Sequence, residues 1–123
     1  MSETEFLQEL GRCWPRDVSS VEPTSATLTL ANEAVNAFPN SALPWTMRGD
    51  LLQLAQSDAG YELGEVKRSY RMAIKADPRY APAYDELGRF LVSVMDNRRK
   101  AKRFLDKARR LRRSAAMAGT SSG

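Results

Sequence analysis

Residues Ala73–Gly88 read AIKADPRYAPAYDELG. The stretch closes one apolar-periodic segment, turns at Asp77-Pro78 and opens the next near Ala81. Val66, Tyr70, Ala73 and Ile74 precede the turn, and Tyr84, Leu87, Leu91 and Val94 follow it, in each case at intervals of three or four. That is the period of a helix with one buried face. Pro78 cannot continue a helix and biases Asp77 toward extended backbone, so the chain must turn there. The stretch therefore predicts the junction between two helical hairpins.

The same punctuation extends outward. Ser2 and Glu5 fit the capping box that opens a helix. That first helix places Phe6, Leu7 and Leu10 on one face and is expected to end at Pro15. Arg16–Pro23 reads as a loop. From about Thr24, Leu28, Ala31, Val35 and Phe38 mark a second helix, stopped by Pro39-Asn40. Ser41 is the expected N-cap of a third helix, with Pro44 tolerated in its first turn. This helix carries Trp45, Met47, Leu51, Leu52 and Leu54 inward and ends near Gln56. Ser57–Gly64 reads as a loop with Tyr61 and Leu63 tucked inward. The helix after Pro78 is expected from Ala81 to Met95, followed by a turn at Asp96-Asn97. The last helix sets Ala101, Phe104, Leu105, Ala108 and Leu111 against a face of positive charge. Ser114–Gly123 is expected to be a flexible tail. No segment alternates like a half-buried strand. The expected fold is all-α: six helices in three antiparallel pairs, one domain over residues 1–113.

The pairs share positions. Gly11, Gly49 and Gly88 stand at nearly constant spacing, preceded by Leu7, Trp45 and Tyr84. Pro39 and Pro78 close the first two pairs, and Ala34, Ala73 and Ala108 sit late in the second helices. Glycine and alanine let neighbouring helices approach closely, the large residue fills the space between pairs, and proline forces the turn. This pattern resembles the tetratricopeptide repeat, with W-x-x-L-G-x-x-Y in its first helix and A-x-x-x-F-x-x-A-x-x-x-x-P in its second. Trp45, Gly49, Leu52, Val66, Tyr70, Ala73 and Pro78 match in the middle unit. Tyr84, Leu87, Gly88, Leu91, Ala101, Leu105 and Ala108 match in the third. Leu7, Leu10, Gly11, Trp14, Thr27, Ala31, Ala34 and Pro39 take the positions of the first. Arg48 stands at a leucine position, and Val66 and Thr27 replace a small alanine. The resemblance implies a helical-hairpin repeat, an α-solenoid, with units at about 4–39, 42–78 and 81–113. Three units match the minimum usually needed to bury a continuous core.

Composition narrows function. The 123 residues include no histidine and one cysteine, Cys13. The commonest general base and metal ligand are thus missing, and neither a disulfide within the chain nor a thiolate zinc cluster can form. Cys13 is expected to be a small buried hydrophobe. Asp85 and Glu86 are adjacent, about 100° apart on a helix, and cannot face one substrate together. Gly60 and Gly64 lack the strand and lysine of a phosphate loop. No enzyme, cofactor or metal site is expected. The opening MSETEFLQEL has no basic segment followed by an apolar one, no apolar run approaches a membrane span of about 20 residues, and a cytoplasmic setting is expected.

Two surfaces are candidates. In the resembled family the first helix of each pair lines a concave face. By position this implies a partner-binding groove at Gln8, Arg12, Thr46, Asp50, Gln53, Asp85, Arg89 and Val92, suited to a peptide or protein of mixed polarity. The alternative is that these side chains are solvated or pair with one another. The carboxylate clamp of one subfamily is not reproduced at Thr46, Asp50, Asp85 and Arg89. The second surface arises from a charge asymmetry: residues 1–96 carry nine Lys/Arg against fourteen Asp/Glu, residues 97–123 ten against one. Arg98, Arg99, Lys100, Lys102, Arg103, Lys107, Arg109, Arg110, Arg112 and Arg113 make a basic helix. It suits nucleic acid, an anionic membrane surface or the acidic body of a neighbouring copy, or serves only as a solvated cap. No aromatic residue interleaves these charges to stack a base. The leading expectation is a non-enzymatic protein-interaction adaptor; the alternative is an anion-binding module.

Overall fold

Ser2 starts the first helix. Its hydroxyl accepts from the Glu5 amide at 3.1 Å, and the Glu5 carboxylate accepts from the Ser2 amide at 3.0 Å, completing the capping box. The Ser2 amide, then its hydroxyl, hold the Glu5 carboxyl below its ordinary pKa. The computed structural model describes residues 1–14, 25–54 and 63–121. Its helices are α1 (Glu3–Cys13), α2 (Ser25–Ala37), α3 (Ala42–Leu54), α4 (Leu63–Ala76), α5 (Ala81–Ser93) and α6 (Arg98–Ser121). The fold is all-α, with no strand among the described residues. The expected stop at Pro15, the loop at 16–23, the start at Thr24, the end near Gln56 and the inward tuck of Tyr61 lie outside the described residues.

Each helix packs on the next in sequence, most extensively α3 on α4 and α5 on α6, and α3 also meets α5. The main core joins Phe6, Leu10, Leu28, Ala31, Leu51, Leu52, Val66, Tyr70, Leu87, Phe90, Leu91 and Ala101. Beside it, Ala81, Tyr84 and Ala108 form a smaller cluster, with Ile74, Phe104 and Leu111 packed around it. The spacing of apolar residues identified most of these positions, although it passed over Phe90.

Two junctions are built alike. At the α2–α3 turn, the Phe38 amide bonds the Ala34 carbonyl at 2.9 Å and the Ser41 amide bonds the Phe38 carbonyl at 3.2 Å. At the α4–α5 turn, the Asp77 amide bonds Ala73 at 2.9 Å and the Tyr80 amide bonds Asp77 at 3.1 Å. Trp45 Nε1 then donates to the Pro39 carbonyl, and the Tyr84 hydroxyl to the Pro78 carbonyl, each at 2.8 Å. In both turns a large aromatic from the following helix satisfies a turn carbonyl two residues past the end of the preceding helix.

Close approach operates at two glycines of the three. A Cβ on Gly49 would come within 2.5 Å of Tyr70 Cε1, and one on Gly88 within 2.7 Å of Leu105 Cδ2. Gly11 is exposed and a Cβ there would meet nothing within 4 Å, so its expected packing role is corrected.

Several local expectations are also corrected. Ser41 stands at the N-cap position of α3, but its hydroxyl donates to the Glu3 carboxylate, pinning α1 to the start of α3. Helix α4 begins at Leu63, so Leu63 and Gly64 are helical, and Leu63 is exposed. Helix α5 ends at Ser93, where Asp96 takes a φ of 50° and the Asn97 amide turns back to the Leu91 carbonyl at 2.8 Å. Val94 and Leu54 are exposed as well. All three of these apolar residues stand at helix ends, where periodicity outlasts the packing partner. Cys13 is exposed, since the buried stripe of α1 comprises Phe6 and Leu10 and stops a turn earlier. Helix α6 continues past Arg113 to Ser121, as Ala115, Ala116, Met117 and Ala118 are strong helix formers.

Candidate functional site

The expected groove residues part company in three dimensions. Asp50 and Gln53 project from α3 toward Tyr70 of α4. The Tyr70 hydroxyl donates to Asp50 Oδ1 and accepts from Gln53 Nε2, both at 2.6 Å. Glu86 and Arg89 of α5 lie near enough to act on the Asp50 carboxyl, Glu86 raising its pKa and Arg89 lowering it. Arg89 is held by Glu86 at 3.7 Å and Asp85 at 3.9 Å. Asp50, Gln53 and Arg89 are thus brought together, joined by Tyr70 and Glu86 from positions that sequence reasoning had given to packing or set aside.

Burial pushes the Asp50 carboxyl up to about 7; the Tyr70 hydrogen bond opposes this, Glu86 adds to it, and Arg89 opposes it. The Tyr70 phenol is likewise pushed up, by burial first and then by the Asp50 charge. Two carboxylates therefore share a half-buried site from different helices, which the adjacent pair Asp85-Glu86 does not.

Other candidates have structural partners. Thr46 is buried and its hydroxyl donates to the Ala42 carbonyl at 2.9 Å. Asp85 is buried at 9 % exposure and paired with Arg112 of α6. Val92 is exposed on α5. Gln8 and Arg12 are exposed on α1, where Arg12 pairs with Glu9; among the described residues no hydrogen bond or ion pair joins them to the Tyr70 cluster.

Arg48, which stands where the resembled family has leucine, is buried and built into the scaffold. Its Nε donates to Asn32 Oδ1 and its guanidinium to Ser69 Oγ, each at 2.7 Å, and Glu65 lies 3.8 Å away. Arg68 covers the Trp45 ring at 5.5 Å from its centroid.

The basic helix divides into anchored and open cations. Arg112, half exposed, reaches across to α5 to bind Asp85. Lys102 and Arg109 pair with Asp106 at 2.8 and 3.8 Å, and the Lys102 bond in particular holds the Asp106 carboxyl below its ordinary pKa. Arg98, Arg99, Lys100, Arg103, Lys107, Arg110 and Arg113 form no ion pair among the described residues. Arg103, Arg109, Arg110 and Arg113 line an open recess around Asp106. Among the described residues no group of three or more His, Cys, Asp and Glu is placed to hold a metal ion, and no helix is long and apolar enough to cross a membrane. Comparison with protein-family models and with curated proteins gives no match to the chain.

Proposed function

We propose that the chain is a small cytoplasmic, non-enzymatic adaptor, a three-unit tetratricopeptide-like array that binds a peptide or partner protein on the face formed by its odd-numbered helices. The observation that carries this reading is the meeting of Asp50 and Gln53 from α3 with Glu86 and Arg89 from α5, around the Tyr70 hydroxyl. Side chains from separate helices converge there with both signs of charge, which suits a partner of mixed polarity. The like construction of the Pro39–Trp45 and Pro78–Tyr84 junctions, and the close approach at Gly49 and Gly88, support the repeat. Val92 adds an exposed apolar contact on the same helix as Arg89.

The test is capture of a partner from the source cell by immobilised wild-type chain and by Arg89→Glu and Gln53→Ala variants. The proposal expects a partner retained by the wild type, lost on Arg89→Glu and weakened on Gln53→Ala, with both variants still helical by circular dichroism at the assay temperature. Retention by both variants would move binding off this face.

A further inference from the structure

The cations of α6 are not an isolated stripe, because the fold lays them beside a second basic row. Lys67, Arg71 and Lys75 recur every fourth residue on α4, so they neighbour one another along that helix. Lys100 of α6 does most to lower the Lys67 pKa, ahead of burial and of Arg71, so both cations lie within electrostatic reach of Lys67. Farther along, Lys107 lines a recess with Pro78 and Arg79 beyond the end of α4. Helices α4 and α6 therefore run in the same sense on either side of a seam, floored where Ile74, Phe104 and Leu111 surround Ala81, Tyr84 and Ala108. Lys67, Arg71, Lys100 and Lys107 have no carboxylate partner among the described residues. Like charges from two helices are thus held within electrostatic reach of each other with no carboxylate partner among the described residues, an arrangement that an anion would relieve.

We propose that this seam, lined by Lys67, Arg71, Lys100 and Lys107, binds the phosphate backbone of a nucleic-acid duplex without reading its sequence. Such a site lies apart from the Tyr70 cluster and does not depend on it. A duplex carries a phosphate about every 3.4 Å along each strand, a charge density that rows of cations neutralise by releasing counterions. The seam offers no Asn or Gln on α4 or α6 to read an adenine edge. It offers no exposed aromatic for stacking single-stranded bases, since Tyr70 is buried and Phe104 packs inward. Between residues 101 and 111 the apolar side of α6 is already spent on α5, which leaves none of that stretch to insert into a bilayer. Arg103 and Arg110, which form no ion pair among the described residues, extend the positive field outward from the seam.

The test is fluorescence anisotropy of a labelled DNA duplex of arbitrary sequence, about 20 base pairs long, titrated with the whole chain between about 50 and 200 mM salt. Binding should be saturable and weaken steeply with salt. Replacing the four seam cations (Lys67→Gln, Arg71→Gln, Lys100→Gln, Lys107→Gln) should flatten the log–log salt slope by about 3–4 and weaken binding at least about tenfold at low salt. A control losing equal charge elsewhere (Arg98→Gln, Lys102→Gln, Arg109→Gln, Arg113→Gln) should lose clearly less. If the fourfold seam variant melts below the wild type, the double variant Lys67→Gln, Lys100→Gln supplies the comparison, since it relieves repulsion rather than removing support. Equal losses in seam and control variants, no saturable binding at the lowest salt, or tighter binding to phosphatidylserine vesicles or polyglutamate than to the duplex would each overturn the proposal.

Discussion

The Tyr84 hydroxyl donates to the Pro78 carbonyl at 2.8 Å, six residues back across the turn into α5. Trp45 makes the corresponding bond to Pro39 at the same distance. Tyr84→Phe keeps the ring and removes the bond, so it should cost about 1 kcal/mol. Trp45→Ala also empties part of the core and should cost about 3–5 kcal/mol. Urea denaturation with fluorescence or circular dichroism measures both, and equal costs would show that the hydrogen bond, not the ring, holds the junction.

The glycines should respond with opposite signs. Gly11→Ala adds a methyl to open space on a helix and should stabilise by about 0.5–1 kcal/mol. Gly49→Ala gains the same propensity but drives its Cβ to 2.5 Å from a Tyr70 ring fixed by bonds to Asp50 and Gln53. Overpacking of about 1–3 kcal/mol should win there. Gly88→Ala should destabilise as well, because its Cβ would fall 2.7 Å from both Cδ2 and Cγ of Leu105 and 3.3 Å from the Ala101 carbonyl oxygen. Thermal melts of the three single variants read these signs directly.

Arg48 presents a different balance. Replacing its buried guanidinium with leucine removes a desolvated charge and returns the residue of the resembled repeat, while Ser69 keeps its bond to the Glu65 carbonyl at 2.9 Å. Arg48→Leu is expected to shift stability by less than about 1 kcal/mol. Asn32→Ala instead leaves the charge in place and removes its 2.7 Å acceptor, and should cost about 1–3 kcal/mol. A larger loss from Arg48→Leu than from Asn32→Ala would make the charge itself stabilising.

Asp50 should make stability fall as pH rises. Its carboxyl is raised from 3.8 to about 7 in the folded chain, so folding favours the protonated form. Its contribution is complete below the unfolded value, declines from about pH 4 upward and is lost once pH passes about 7. Asp50→Asn removes this dependence while keeping an acceptor for Tyr70. The melting-temperature difference between Asp50→Asn and wild type should therefore grow from pH 4 to pH 7 and then level; a constant difference would place Asp50 outside the buried site.

Reading the sequence located the six helices, the turns at Pro39 and Pro78 and most of the core, because periodicity and proline act through neighbouring residues. It placed Leu54, Leu63 and Val94 inward and Cys13 in the core, since a repeating pattern does not record where the facing helix stops. It also named Thr46 and Asp85 as groove residues by position alone. Thr46 bonds its own helix, and Asp85 pairs with Arg112, which lies 27 residues away.

What the sequence determined by itself was local: an all-α chain, its breaks, its apolar stripes and its acidic body with a basic end. Those follow from backbone sterics and from side-chain spacing within a few turns. Tertiary structure alone decided which polar groups meet. Asp50, Gln53, Tyr70, Glu86 and Arg89 come from three helices, and Lys67 feels the charge of Lys100, 33 positions further on. The physical reason is one of range: periodicity assigns a residue to a face, whereas charge coupling and desolvation depend on which faces packing sets against each other.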